Sequence, residues 1–335
     1  MKNKQIFFTA VHTAELVDGE IRENLNDNEV MTVTEYTVIS GGTERANIMG
    51  MQNVSGIWPR GLGYCGVGYV VKTGKAVTKV KEGDRVLVYH GCHSKYNIRP
   101  DGEITKVEQD ITSLEAAFVI IAAMGLGGVR KLELELGESA MVMGQGLLGI
   151  FATQFLRLSG ANPLIAADLN PQRRELALSL GADYAFDPSE SNFIEKVKEV
   201  TKGKGVRGTV EVTGVSKAMC QALECASWQG RISLLGCTRV SDCPVDYYQQ
   251  VHKPGIKLIG AHNFVRPKFE SYPHHWTHHD DCNAIMDMIA SKRVKVEPII
   301  SRVVSPTEAP EIFNELCDDP NFPIGTVFDW RNTKV

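Results

Sequence analysis

Val142-Met143-Gly144-Gln145-Gly146-Leu147-Leu148-Gly149 is the stretch on which the reading of this chain turns. Three glycines at GxGxxG spacing mean little alone, but here both flanks match. Glu138 to Met143 predicts a buried strand leading in. Leu147 to Ser159 predicts a helix leading out, with Leu147, Leu148, Ile150, Phe151, Phe155, Leu156 and Leu158 on its apolar face. A second strand, Pro163 to Ala167, ends in Asp168, about twenty residues beyond the third glycine, the spacing of a dinucleotide fingerprint. Gly144 permits a tight turn, Gly146 lets the backbone approach a pyrophosphate, and Gly149 lets helix and sheet close up. Gln145, Leu147 and Leu148 complete a loop whose helix N-terminus offers unpaired N–H groups to phosphate. The stretch predicts a dinucleotide site.

Asp168 bears on which dinucleotide. A carboxylate at the end of the second strand accepts hydrogen bonds from a ribose diol and repels the 2′-phosphate of NADP. Arg173 and Arg174, five and six residues on, offer a phosphate partner or form an exposed helix face after Pro171, which suits a first helical turn. The expectation is NAD, with NADP the less favoured cofactor.

The length of 335 residues predicts about two domains. A composition of 43% hydrophobic and 23% charged residues with net charge −4 leaves no electrostatic footprint for nucleic acid or an anionic membrane. The longest apolar run, Ala116 to Val129, has 14 residues, short of a membrane span. Ile6-Phe7-Phe8 is broken too soon, at Thr9 and His12, to act as a signal peptide. Eight cysteines without a CxxC pair read as reduced thiols of a cytoplasmic protein. The expected partner is a small-molecule substrate.

The fold class expected is α/β in two domains. Residues 1–121 are β-rich, with strands at Val30 to Ile39, Gly68 to Val71 and Asp84 to Tyr89, and suggest a barrel-like domain. Residues 122–264 alternate strand and helix. Tyr184 to Phe186, Gly208 to Val212, Arg231 to Leu235 and Ile256 to Ile259 bring the strands to six. Helices are expected at Phe193 to Thr201 and Lys217 to Trp228, completing a doubly wound Rossmann unit. Residues 265–335, with a helix from Asp280 to Ser291 capped by Thr277, are expected to rejoin the first domain. A substrate would meet the nicotinamide in the crevice between the two domains.

Beyond the glycine fingerprint, Gly41-Gly42-Thr43-Glu44, Gly63-Tyr64-Cys65-Gly66, Gly83-Asp84-Arg85-Val86, Glu211-Val212-Thr213-Gly214 and Gly230-Arg231 through Leu235-Gly236 carry a resemblance over nearly the full chain. The chain resembles the medium-chain dehydrogenase/reductase superfamily, which holds zinc alcohol and polyol dehydrogenases and quinone reductases. The resemblance implies a GroES-like β-barrel catalytic domain, a Rossmann domain, hydride transfer with a nicotinamide cofactor, and homodimers or homotetramers joined at the sixth strand. It places Thr213, Gly214, Leu235 and Gly236 among the cofactor contacts.

The chain departs from that pattern where zinc is concerned. Gly41 stands where the zinc enzymes begin this segment with a cysteine ligand. Tyr64 and Cys65 replace a histidine and an acidic residue, and Ile120 falls on the next ligand segment. The four-cysteine structural lobe is missing, with Cys92 the one cysteine between Val86 and Ala116. A zinc site needs three or four Cys, His or carboxylate ligands, so no zinc is expected. A rebuilt site from Cys65, His90, Cys92 and His93 is the weaker reading.

Without metal, side chains must stabilise negative charge on oxygen during hydride transfer. Thr43 holds the place of the family's hydroxyl relay. Tyr64 could donate from the vacated pocket, or simply fill it. His93 and His262 are titratable candidates for the same task. The function expected is zinc-independent, NAD(H)-dependent oxidoreduction of a small alcohol, polyol or carbonyl compound. The alternatives are a quinone- or enoyl-type reductase of an activated C=C bond and a catalytically silent NAD-binding protein.

Overall fold

Lys2–Ala10 (β1) and Thr13–Glu20 (β2) form an antiparallel hairpin in the computed structural model, which describes residues 1–335. Ile6 and Phe8 alternate inward along β1, as a half-buried strand requires. The longer β3 (Glu29–Val38) follows, and the short β4 (Arg60–Gly61) returns to the open edge of β1, giving the order β2-β1-β4. Strands β5 (Cys65–Thr73), β6 (Arg85–Tyr89), β7 (Tyr96–Pro100) and β8 (Ile104–Lys106) build a second sheet upon β3. β5 pairs along most of one edge of β3, and β7 takes the first half of the other edge. Seven of the ten β3 residues are buried, including Thr32, Thr34 and Thr37, because the strand is covered on both sides.

Gly41-Gly42 does not end in a turn. It opens a helix, Gly41–Ile48, whose entry is stabilised by Glu44 in the first turn. The Glu44 carboxylate accepts the backbone N–H of Ser40 at 2.9 Å and places negative charge near the helix N-terminus. The apolar run at 116–129 folds into Ser113–Ala116 and Val119–Arg130. Thr112 starts it with a capping box that Glu115 completes.

Six parallel strands make the second unit: β9 (Ala140–Met143), β10 (Leu164–Ala167), β11 (Tyr184–Phe186), β12 (Val206–Glu211), β13 (Ala226–Leu234) and β14 (Lys257–Gly260). Their order, β11-β10-β9-β12-β13-β14, is that of a doubly wound sheet whose direction of winding reverses between β9 and β12. Every residue of β9 and β10 is buried, as expected of central parallel strands with helices on both faces. The helix expected to reach Trp228 stops at Cys225, and β13 starts at once with Ala226. Apolar periodicity does not mark this junction, because Ala226 and Ser227 fit either element.

The chain then returns. β15 (Arg302–Val304) pairs with β16 (Thr326–Asp329), and β16 fills the second half of the β3 edge at Tyr36 to Val38. The helix Ala309–Asp318 lays Ile312, Phe313 and Leu316 into the core, where Phe313 meets Phe8 edge to face with centroids 4.9 Å apart.

Contacts divide the chain into two units, Met1–Ile121 with Cys282–Val335, and Ala122–Asp281. The return therefore falls at Cys282, not at residue 265 as expected. The intervening tail is held to the second unit by a buried carboxylate. Asp281 is fully buried and accepts Arg130 Nε at 2.7 Å and the Arg266 guanidinium on its other oxygen. Arg266 also donates to the Ala123 carbonyl, and Arg130 stacks 3.9 Å from the centre of the Trp276 ring. Asp281→Ala strands two guanidinium groups without their anion and should lower the stability of the second unit by about 3–5 kcal/mol in denaturant unfolding of the whole chain. An unchanged midpoint would show that both arginines are readily resolvated.

Candidate functional site

In the second unit, the glycine loop is shaped by contacts that exclude side chains. Gly144 has φ +93°, and a Cβ there would lie 2.8 Å from Thr213 Cγ2. A Cβ on Gly149 would lie 1.8 Å from the Gly144 carbonyl oxygen. Gly146, by contrast, caps the helix Leu147–Leu158 and has open space where a side chain would stand. The loop thus leaves the N-terminus of that helix open, and unpaired N–H groups at a helix N-terminus can take an anion. The buried Gln145 pins the loop from below, donating to the Val142 carbonyl at 3.1 Å and accepting from Thr153 Oγ1 at 3.0 Å. Leu147 and Leu148 form the first helical turn, with Leu147 buried.

Asp168 stands at the end of β10, 9% exposed. Its carboxylate accepts Gln145 N–H at 2.6 Å and Asn170 N–H at 2.8 Å. It thus ties the glycine loop to the second strand and keeps lone pairs available for a further donor. The two arginines beyond it differ in their commitments. Arg174 is spent on the carbonyls of Asp168 and Leu169 and on Asp187, at 2.7, 2.9 and 3.1 Å. Arg173 is half-buried in the first turn of the helix Pro171–Ser179, its backbone N–H capped by Asn170.

Thr213, Gly214, Leu235 and Gly236 come together through a residue singled out above only within a motif. The buried Glu211 accepts the N–H groups of Thr213 and Gly214 at 2.7 and 3.2 Å, and the Thr213 hydroxyl. Its own carbonyl accepts the N–H groups of Leu235 and Gly236 at 2.9 and 2.8 Å. Burial pushes the Glu211 carboxyl above its usual range, and the donors of Thr213 and Gly214 oppose that rise. A glutamate closing β12 two residues before the Thr213-Gly214 pair is the sequence signal that would have found it.

His262, exposed on the same unit, caps the short helix Asn263–Val265. Its Nδ1 accepts Phe264 N–H at 3.2 Å, and its ring meets the Phe264 ring edge-on at 4.7 Å.

The first unit brings Thr43 and Tyr64 together and takes His93 elsewhere. The Tyr64 phenol donates to the Ser40 hydroxyl, with the Thr43 hydroxyl beside it. Part of the Tyr64 ring is exposed, yet the phenolic oxygen sits in a desolvated corner. Burial chiefly, and the nearby Cys65 thiol, hold its pKa far above the usual value. His93 was expected on a strand or loop facing substrate; it is fully buried and both ring nitrogens are engaged.

The partners of His93 reach across the unit. The Trp330 indole N–H can only donate, and Thr37 Oγ1 accepts it at 2.9 Å. The same Thr37 oxygen lies 2.7 Å from His93 Nδ1, and the Nε2–H donates to the Glu44 carboxylate at 3.0 Å. Glu44 Oε1 holds the Ser40 N–H. His93 is therefore a positioning group beneath Ser40 and Thr43.

The side chains do not suit a metal. No three or more His, Cys, Asp or Glu residues are grouped so that they could hold an ion. The rebuilt cluster does not assemble: His90 pairs with Glu103 at 3.2 Å and stacks on Tyr89, while His93 is committed to Thr37 and Glu44. Cys65 is buried, and burial followed by the Glu44 charge pushes its thiol well above the ordinary range. Ile120 is buried in Val119–Arg130.

Residues 29–133 match the alcohol dehydrogenase GroES-like domain, and residues 148–277 match the zinc-binding dehydrogenase domain. The chain belongs to the medium-chain dehydrogenase/reductase superfamily. It is 25% identical over 328 residues to an uncharacterized zinc-type alcohol dehydrogenase-like protein of Haemophilus influenzae, covering 88% of this chain and 90% of that one. It is 24% identical over 339 residues to D-guloside 3-dehydrogenase of Escherichia coli, covering 94% and 96%. Galactitol-1-phosphate dehydrogenase from Escherichia coli shares the fold with a TM-score of 0.85 at 16% identity, covering 97% and 99%. The protein is thus an oxidoreductase of the zinc-type alcohol dehydrogenase family, with a GroES-like domain and a Rossmann-type sheet.

Glu44 joins the two halves of the buried network. Glu44→Ala leaves His93 Nε2–H and the Ser40 N–H buried without partners, at a cost of about 1–3 kcal/mol each. Thermal unfolding should show a clear loss for this variant and a smaller one for Glu44→Gln.

Proposed function

We propose that this oxidoreductase uses NAD(H) to move hydride between nicotinamide and a small alcohol, polyol or carbonyl compound without zinc. The observation that carries this reading is the Tyr64–Ser40–Thr43 hydroxyl cluster. It occupies the segments where the family resemblance places metal ligands, and the Glu44–His93 pair holds it. Gly144, Gly146 and Gly149 fit a dinucleotide, since the first and third leave no room for side chains and the second leaves space for a ligand. When bound, the cofactor supplies or accepts the hydride.

The chain's own residues handle the oxygen and its proton. With its pKa raised, Tyr64 stays a phenol at neutral pH and acts as a donor. As a carbonyl oxygen gains charge, the phenol hydrogen-bonds to it and gives up its proton. The Ser40 and Thr43 hydroxyls then turn their protons towards the phenolic oxygen. The polyhydroxy substrate class draws support from the relative that oxidises a guloside.

Asp168 supports NAD over NADP, since its carboxylate would face a 2′-phosphate with like charge. NADH should bind at least roughly tenfold tighter than NADPH, a gap of about 1.4 kcal/mol, and Asp168→Ala should narrow it. Equal binding by the unmodified protein overturns the preference. For the donor, Tyr64→Phe keeps the ring and removes the hydroxyl. On the best substrate from a panel of sugars, polyols, aldehydes, enones and quinones, it should cut kcat by roughly 10²–10⁴-fold with NADH affinity unchanged. Undiminished turnover would make Tyr64 a packing residue.

A further inference from the structure

Away from the glycine loop and the hydroxyl cluster, two thiols of the second unit stand together. Cys220 lies on the helix Ser216–Cys225, 6% exposed and just beneath the surface. Cys243 is half-buried on the loop 237–246 that follows β13. The Cys243 thiol is within hydrogen-bonding reach of the Cys220 sulfur, and Cys220 Sγ donates at 3.8 Å to the carbonyl of Pro244, the next residue along. Two further bonds keep this loop on this helix. Ser216 Oγ donates to the Val240 carbonyl at 2.5 Å and accepts Asp242 N–H at 3.2 Å. Burial and the adjoining thiol push the Cys220 thiol up to about 11. The remaining cysteine of the loop, Cys237, is exposed.

We propose that Cys220 and Cys243 form a dithiol modification site that closes to an intramolecular disulfide on exposure to hydrogen peroxide and tethers the loop to the helix. Disulfides in reducing compartments are typically transient and redox-sensing, which is the use a contact pair of thiols serves. The less covered Cys243 reacts first. Its thiolate attacks one peroxide oxygen, the O–O bond breaks, and Cys243 becomes a sulfenic acid while the departing hydroxide takes the thiol proton as water. The Cys220 thiolate then attacks the sulfenic sulfur. The S–S bond forms, the S–O bond breaks, and the second hydroxide leaves as water with the Cys220 proton. The sulfur pair loses two electrons and one peroxide becomes two waters. The bonds from Cys220 to Pro244 and from Ser216 to Val240 and Asp242 already hold the loop on the helix, so closure asks for local movement of the loop around Cys243.

The test uses the full chain, reduced and then treated with a small excess of hydrogen peroxide. Remaining thiols are alkylated and the unreduced protein is digested and mapped by mass spectrometry. The expected result is a single linked pair joining the Cys220 and Cys243 peptides, lighter by two hydrogens and reopened by dithiothreitol. Cys220→Ser and Cys243→Ser should each abolish the link and Cys237→Ser should leave it, while amide exchange across 237–246 slows in the oxidised form. Over-oxidation of Cys243 beside a free Cys220, a link through Cys237, two unreacted thiols or unchanged loop exchange would each overturn the proposal. The map of the unmodified protein decides the link even if a variant fails to fold, and it involves no nucleotide.

Discussion

A carboxylate and an imidazole, both shielded from water, set the geometry of the first unit. Glu44 and His93 are tolerable inside the protein only because each polar atom of the pair meets a partner at hydrogen-bonding distance. Meeting that condition fixes four segments at once: the helix after β3 through Glu44, β3 itself through Thr37, the loop before β7 through His93, and the C-terminal tail through Trp330. A network of this kind tolerates little rotation, since turning the imidazole would break bonds on both sides. Thr43, one residue before Glu44, inherits its position from that constraint. Ser40 inherits its position twice, from Glu44 at its backbone and from Tyr64 at its hydroxyl.

The second unit uses acidic side chains in a related way. Asp168 and Glu211 close the backbone donors of the glycine loop and of the Thr213–Gly214 turn. Ordering these loops before a ligand arrives reduces the conformational freedom that binding would otherwise remove. Glu211 has no room to act on a substrate directly, and its role is to hold two loops on neighbouring strands in fixed relation.

Much of the second unit was legible in the sequence because its first strands, β9 and β10, are short apolar runs and a glycine triplet with Asp168 marks the turn and helix between and beyond them. The first unit was less readable. Gly41-Gly42 carried no sign of a helix, since the helix they open depends on a carboxylate three residues away and on the Ser40 backbone, neither of which shows as periodicity. His93 read as a titratable candidate for the substrate oxygen because no local pattern reveals that Thr37 and Glu44 engage both its ring nitrogens and that Trp330 in turn donates to Thr37. The tail 265–281 was assigned to the wrong unit for the same reason, as its anchor is a long-range arginine–aspartate brace. Tyr64 and Thr43 could be chosen only through the family motif, whereas Ser40, which Tyr64 also meets, carried no signal of its own.

The sharing of one β3 edge between β7 and β16 has a consequence for synthesis. The first half of that edge finds its partner within about 70 residues of translation, but the second half, Tyr36 to Val38, waits for Thr326–Asp329. At roughly 5–20 residues per second, that interval lasts on the order of 15–60 s, while the entire parallel sheet is made and has time to fold. Through this period the nascent chain carries open backbone donors and acceptors beside Thr37, whose hydroxyl still lacks the Trp330 indole. The parallel sheet can thus mature while the first unit still waits for Thr326–Asp329, and the interval is one in which a chaperone or a neighbouring nascent chain has access to that edge.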